Sequence, residues 1–486
     1  MIRPLRYFVG LVILAAACTD AAETPVEPST ALSNPGGGVR VTTEADDGPG
    51  SFRQAVLGAN ADPSIGTIRF DRDLGSIRLR QPVTYSGGQA LVIRGEGARL
   101  DGSGLPAGGS ALVAEGGGEL TIRELTVVRA PGNGITIKVP DLATGLFKVR
   151  LHEVTIRENG LHGILINDQA EYFTDPASES EVGSAASLLV EVTDSRFERN
   201  GFALIDSDGL RVNEGGEGSL EANIQGTRFA NNGADGLELD ERAAGDAKFA
   251  LRHTALIGNG SFSSEDLDDG IDVDEGGDGD LIGRFHHVVA SRNFEQGVDL
   301  NENASGDLRV FMADVRAADN YEEGIEFEED DDVAGGGDIE AELVRVTARR
   351  NGGAGGDAGL KLREKGDGDL VARLVDAVSA DNRLVAGSDP ISGILLREDE
   401  EGDLTAELVQ AMARRNSGAG IELEENEDGN LAGKIRRSTV SQNDGAGASL
   451  TQEPTGTGQA TFVNLTALGN GGGPVLADGV TLSGAP

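Results

Sequence analysis

Between Gly420 and Asn443 the chain reads GIELEENEDGNLAGKIRRSTVSQN. Apolar residues alternate with polar ones twice, first at Ile421 and Leu423, then at Leu431, Gly433 and Ile435, with Gly429 between the two runs. Period-two alternation over such short runs predicts half-buried strands. Glycines and charges every half-dozen residues exclude a pair of stable helices. The unit recurs, opening at Gly134, Gly163, Gly209, Gly236, Gly270, Gly297, Gly324, Gly359, Gly393, Gly420 and Gly447, and five of the ten spacings are 27 residues. Nine places on, most units carry a second glycine: Gly218, Gly245, Gly279, Gly306, Gly368, Gly402, Gly429 and Gly456. Fourteen places further comes an asparagine: Asn232, Asn259, Asn293, Asn320, Asn382, Asn416, Asn443 and Asn470, with Asn159, Asn200 and Asn351 in the same column.

Twenty-seven residues accommodate three short strands and three turns, each coil stacking on the last at about 4.8 Å. The expected fold class is all-β, a right-handed parallel β-helix solenoid of about 27 residues per coil with an N-terminal amphipathic helix cap. Stacked asparagines can bond side chain to side chain and tolerate left-handed backbone, so their column is structural. The composition agrees: 72 glycines, 4% aromatics and no tryptophan suit a narrow core of Ile, Leu, Val and Ala. Longer spacings mark insertions at turns, the largest being EYFTDPASESEVGS within residues 166–187.

Residues 1–17 read as an export signal, with Arg3 and Arg6 before the apolar run YFVGLVILAAA, which is too short to span a bilayer. The run ends at Cys18, the sole cysteine. The arrangement resembles a bacterial lipoprotein signal, which implies acylation of Cys18 and an outer-membrane or cell-surface location in a Gram-negative-type bacterium. Ordinary cleavage after Ala17 or near Ala22 is the alternative. Residues 18–38 are a flexible tether, 39–100 the cap and first coils, and 101–486 the repeats. In the cap, Ser51 is the expected N-cap of a short helix with Phe52, Ala55, Val56 and Ala59 on one face. The stretch VTTEADDGPGSFRQAVLGAN resembles the opening segment of bacterial surface proteins built on right-handed parallel β-helices. With the repeat, this is the resemblance of a pectate-lyase-like surface lipoprotein.

The formal charge of −41 argues against nucleic acid as a partner, since that binding neutralises phosphates with Lys and Arg. It favours cations. Five places after the opening glycine stand Glu214, Glu241, Glu275, Glu302, Glu329, Glu364, Glu398 and Glu425; ten places after it stand Asp246, Asp280, Asp307, Asp369 and Asp403, with Asp338 in the coil that has a longer turn. Like carboxylates stacked 4.8 Å apart repel by about 0.9 kcal/mol in water and by more when buried. Hydrogen bonds from turn N–H groups, protonation, or bridging Ca²⁺ could each offset this. The calcium reading takes its ligands from both columns: Glu241, Asp246, Glu275, Asp280, Glu302, Asp307, Glu329, Asp338, Glu364, Asp369, Glu398 and Asp403. Acids two and four places after the glycine (Asp272, Asp274, Glu326, Glu328, Glu422, Glu424) are expected only to face outward.

The fold resemblance implies polysaccharide lyases and galacturonan hydrolases among the relatives. Lyase chemistry needs a base and a cation; hydrolysis needs paired acids. Lys361, Arg363 and Lys365 near Arg397 form a basic island, expected to pair with Glu364 and Glu398. Asp268 and Asp269 only faintly resemble a hydrolase pair. The tandem His286-His287 is expected to face opposite sides of a strand, unable to share a metal. Tyr172 and Phe173, in the largest insertion, are candidates for stacking on a sugar. The expected role is non-catalytic surface binding or structure, with Ca²⁺ as the candidate stabilising ion; the alternative is a Ca²⁺-dependent lyase or glycoside hydrolase acting on acidic polysaccharide.

Overall fold

The computed structural model describes residues 38–170, 182–264, 267–329, 336–353, 355–383 and 390–484. Cys18, Tyr172 and Phe173 lie outside the described residues. The chain winds through three parallel sheets, one of 16 strands (sheet A) and two of 14 (sheets B and C). The unit opened by Gly209 shows the plan. Leu210–Glu214 lies in sheet C, Leu220–Gln225 in sheet A and Arg228–Ala230 in sheet B. Each strand then pairs in parallel with its counterpart one coil on, which makes a right-handed parallel β-helix. The register step is 27 residues where no insertion intervenes, as between Leu210 and Leu237, and 34 between Leu237 and Ile271. Insertions therefore lengthen corners and leave strand register intact.

Alternation sets the core. Ile421, Leu423, Leu431 and Ile435 are all buried, stacked on equivalents above and below. Each such side chain contributes about 1.5–3 kcal/mol by leaving water. The few aromatics also stack between coils, as Phe197 does on Phe229 with centroids 4.9 Å apart. At the N-terminal end the helix Phe52–Ala61 buries Phe52, Ala55, Val56 and Ala59 against the first strands of sheets A and C. Ser51 accepts the Gln54 N–H at 3.1 Å, as an N-cap should. Among the described residues no helix is long and apolar enough to cross a membrane.

At the corner from sheet B to sheet C the asparagines form an unbroken amide ladder from Asn159 to Asn470. Each Nδ2 donates to the Oδ1 of the next coil's asparagine, at 2.9 to 3.4 Å. That same Oδ1 also accepts the backbone N–H of the asparagine before it, as Asn320 does from Asn293 at 3.1 Å. The left-handed backbone does not fall on the asparagines themselves. It falls one place earlier, on residues such as Arg292 (φ 60°), Asp319 (φ 64°) and Gln442 (φ 58°). The asparagine instead supplies the hydrogen bonds that hold its strained neighbour's turn in place.

Candidate functional site

Glu241, Glu275, Glu302 and their counterparts occupy the corner from sheet C to sheet A. All eight ladder glutamates, from Glu214 to Glu425, are 0% exposed. They sit five places after the glycine, on the same parity as the core residues at places one and three, so they point inward. In each, one carboxylate oxygen caps the turn: Gly216 N–H donates to Glu214 (3.0 Å), Ala243 to Glu241 (3.2 Å), Gly277 to Glu275 (3.1 Å), Ala304 to Glu302 (3.0 Å), Gly337 to Glu329 (3.2 Å), Gly366 to Glu364 (2.7 Å), Glu400 to Glu398 (2.9 Å) and Gly429 to Glu425 (3.0 Å). In Glu214, Glu241, Glu275, Glu302, Glu364, Glu398 and Glu425 the other oxygen is buried with no hydrogen-bond partner among the described residues. Burial, then the neighbouring glutamates, push Glu275 up to about 12 and Glu364 up to about 11. Glu398 and Glu302, raised first by burial, reach only about 7 and about 8, and turn N–H groups donate to both. Glutamate gives way to other residues at both ends of the column, Asp168 and Gln452. Ser184 Oγ donates to Asp168 at 2.7 Å, and Gln452, in the place of a ninth glutamate, accepts the Leu431 N–H at 2.7 Å.

The aspartate column is a second capping ladder. Asp246 accepts the backbone N–H of Asp280 (3.1 Å), Asp280 that of Asp307 (3.1 Å), Asp307 that of Asp338 (2.9 Å), Asp338 that of Asp369 (2.9 Å), and Asp369 that of Asp403 (2.8 Å). The glutamates stay inside and these aspartates lie at the rim. Among the described residues, no cluster of three metal-capable side chains draws on either column.

Such a cluster does form on the outward face of sheet C. Register aligns Arg211, Glu238, Asp272, Asp299, Glu326 and Lys361 in one file across six coils. The file is cationic at its ends and acidic between. Arg211 Nη2 lies 2.7 Å from Glu238 and 2.9 Å from Asp240, and Lys361 Nζ pairs with Glu326 and, at 2.7 Å, with Glu328. The middle pair, Asp272 and Asp299, has no cation among the described residues, and Oδ1 of each is buried without a hydrogen-bond donor. Asp269, just before Gly270, completes a set whose carboxylate oxygens all lie within 4.8 Å of one another. Burial, then the neighbouring acids, hold all three well above the ordinary aspartate range. A buried Asp269 beside partly exposed Asp272 and Asp299, the last two each with one orphaned oxygen, is a donor set for a hard divalent cation.

The second- and fourth-place acids do face outward as expected, and of the six named only Glu326 is buried. Glu326 is only 5% exposed and Glu238 only 6%, although both face away from the core. The sequence signal for the cluster was present in DDGID, where Asp269 and Asp272 are three apart, with Asp299 one repeat of 27 beyond. The basic island differs from expectation. Lys361, Arg363 and Arg397 do not pair with Glu364 or Glu398, because adjacent residues on a strand face opposite sides. Arg363 Nε meets Asp399 at 2.6 Å and Arg397 meets Glu424 at 2.6 Å. Burial opposes the Lys361 charge, but Glu326 and Glu328 outweigh it and raise its pKa above the ordinary lysine value.

No protein-family model matches the chain, and a search of curated proteins found no match. Solved structures do match. Pectate lyase Pel9A is 15% identical, with 70% of this chain and 79% of that one covered and a TM-score of 0.40. The A-module of the Azotobacter vinelandii mannuronan C-5 epimerase AlgE6 is 12% identical, covering 91% and 98%, with a TM-score of 0.42. PfbA, a surface adhesin of Streptococcus pneumoniae, is 10% identical, covering 92% and 93%, with a TM-score of 0.31. Enzymes and an adhesin stand side by side, so no activity follows from the likeness.

Proposed function

We propose that the chain is an exported β-helix, anchored by lipid on Cys18 at the outer membrane or cell surface, whose sheet C face binds Ca²⁺ and through it a polysaccharide or other surface ligand without cleaving it. The observation that carries the reading is the uncompensated pair Asp272 and Asp299 beside Asp269, in a file whose other members are ion-paired. A cation there neutralises the floor and presents open coordination positions to carboxylate or hydroxyl oxygens of a glycan. The non-catalytic part rests on the bases. Lys361, Arg363 and Arg397 are each held charged in ion pairs, which suits binding and not proton abstraction.

Calcium titration of the full chain by calorimetry tests the site. One ion should bind, and Asp272→Asn with Asp299→Asn should weaken it at least tenfold. Calcium affinity unchanged in the double variant would sink the assignment. Glycan capture should then require Ca²⁺ and be lost in EDTA. Release of unsaturated ends from alginate or pectate, seen by ultraviolet absorbance, would overturn the non-catalytic reading in favour of a lyase.

A further inference from the structure

The chain has five histidines, and three of them meet at one point on the corner from sheet A to sheet B. His286 ends the strand Leu281–His286. His287 follows it, and period-two geometry alone would send its ring to the opposite face. The backbone prevents this. His287 has φ 54°, in the left-handed region, so its ring turns back and its centroid lies 4.1 Å from that of His286. The expectation that the tandem pair cannot share a metal is therefore corrected. His253 occupies the same left-handed position one coil earlier (φ 50°), and its ring stacks on His287 at 4.9 Å and 26°. Asp314 occupies it one coil later, with Oδ2 3.7 Å from His287 Nδ1.

These residues make a donor set of a different chemical kind from the carboxylates of sheet C. A nitrogen of His286, a nitrogen of His287 and an oxygen of Asp314 all lie within 4.8 Å of one another. Arg345 grips both oxygens of Asp314, at 2.6 and 2.7 Å, and fixes the carboxylate's orientation as an outer partner of a ligating carboxylate does. His253 stands beside the pair, its ring stacked on that of His287. Imidazole with one carboxylate suits borderline transition metals, whereas Ca²⁺ prefers oxygen alone. The cluster is exposed, and the acidic rod draws cations toward it.

We propose that His286, His287 and Asp314, with His253 adjacent, bind one divalent transition-metal ion of the zinc, copper or nickel class. The site is separate from the calcium site on sheet C and does not depend on it. Titrating Zn²⁺ into the full chain, with Ca²⁺ in excess, should reveal one equivalent of tight binding. The His286→Gln, His287→Gln double variant should lose at least about 10-fold in affinity, while Asp272→Asn leaves zinc binding unchanged. Both rings are exposed, so the variant should melt as the parent does. Cu²⁺ bound to the unaltered chain offers a check that needs no variant: its electron paramagnetic resonance spectrum should carry nitrogen hyperfine structure. An all-oxygen copper spectrum, or zinc affinity that ignores the double substitution, would overturn the proposal.

Discussion

Lys361 reaches one coil step back to Glu326 and also lies 2.7 Å from Glu328, with all three side chains largely withdrawn from water. A buried pair that loses one member leaves the other charge uncompensated, at about 3–5 kcal/mol. Lys361→Met should therefore lower the melting temperature by several degrees, whereas a truncation at an exposed residue such as Glu401 should not. A melt of Lys361→Met equal to the parent's would mean that the pair contributes nothing.

The glutamate ladder gives stability a defined pH dependence. Its carboxyls are raised in the folded state, so folding takes up protons above the ordinary glutamate value of about 4.3. The ladder's contribution is full below that value. It is lost as pH rises through the folded values, about 7 for Glu398 and about 8 for Glu302 first. The melting temperature should fall from about pH 5 to about pH 9, and Glu398→Gln should flatten the slope. Infrared spectra at neutral pH should show the carbonyl stretch of protonated carboxyl groups. Its absence, with a flat pH profile, would mean that the ladder is ionised throughout.

Gln452 shows that the glutamate position accepts a neutral amide. Glu275→Gln keeps an acceptor oxygen for the Gly277 N–H and should fold well at neutral pH. Glu275→Ala removes that cap and should cost about 1–3 kcal/mol for the orphaned N–H, beyond the space it opens. Chemical denaturation of the two variants side by side separates the cap from the charge; equal losses would contradict this account.

Asn293 makes bonds in both directions along its ladder. It donates to Asn320 at 3.1 Å and accepts the side chain of Asn259 at 3.2 Å and its backbone N–H at 3.1 Å. Asn293→Ala should destabilise by about 3 kcal/mol. Asn293→Asp should be no better, since it keeps the acceptor, loses the donor, and sets a carboxylate against the Asn320 oxygen. Thermal melts of both variants provide the comparison.

The turn glycines allow the coils to approach. A Cβ on Gly306 would stand 1.4 Å from the carbonyl oxygen of Gly279. Gly306→Ala should cost about 3 kcal/mol or more through overpacking against backbone that cannot yield. Alanine at Gly118, with open space around it, should be nearly neutral in the same assay.

Much of this was legible in the chain. Ile421 and Leu423 announced the core by alternation, and Asn443 announced its ladder by recurrence. Parity also places Glu425 inside, two residues beyond Leu423, although its charge suggests the surface. Other features depend on distances that no periodicity encodes. Asp272 and Asp299 share an outward column with Lys361 and Arg211, and only the inter-coil ion pairs reveal which members lack a counter-charge. His287 turns toward His286 because of a left-handed backbone angle, which histidine does not advertise. The strained residue before each asparagine varies freely, from Arg292 to Gln442, since the bonds that hold it belong to its neighbour.

The 27-residue step between Leu404 and Leu431, repeated between Ile421 and Ala448, limits how the rod can change size. Removing one residue from Leu431–Arg436 would send every later side chain of that strand through to the opposite face. Removing a whole coil, residues 420–446, would rejoin Asn416 to Asn470 and Glu398 to Gln452 through the same contacts. The gene can thus lengthen or shorten this protein by unequal recombination between repeats without inventing a new fold. Its length becomes a heritable count of coils, and only the corners are free to vary in smaller steps.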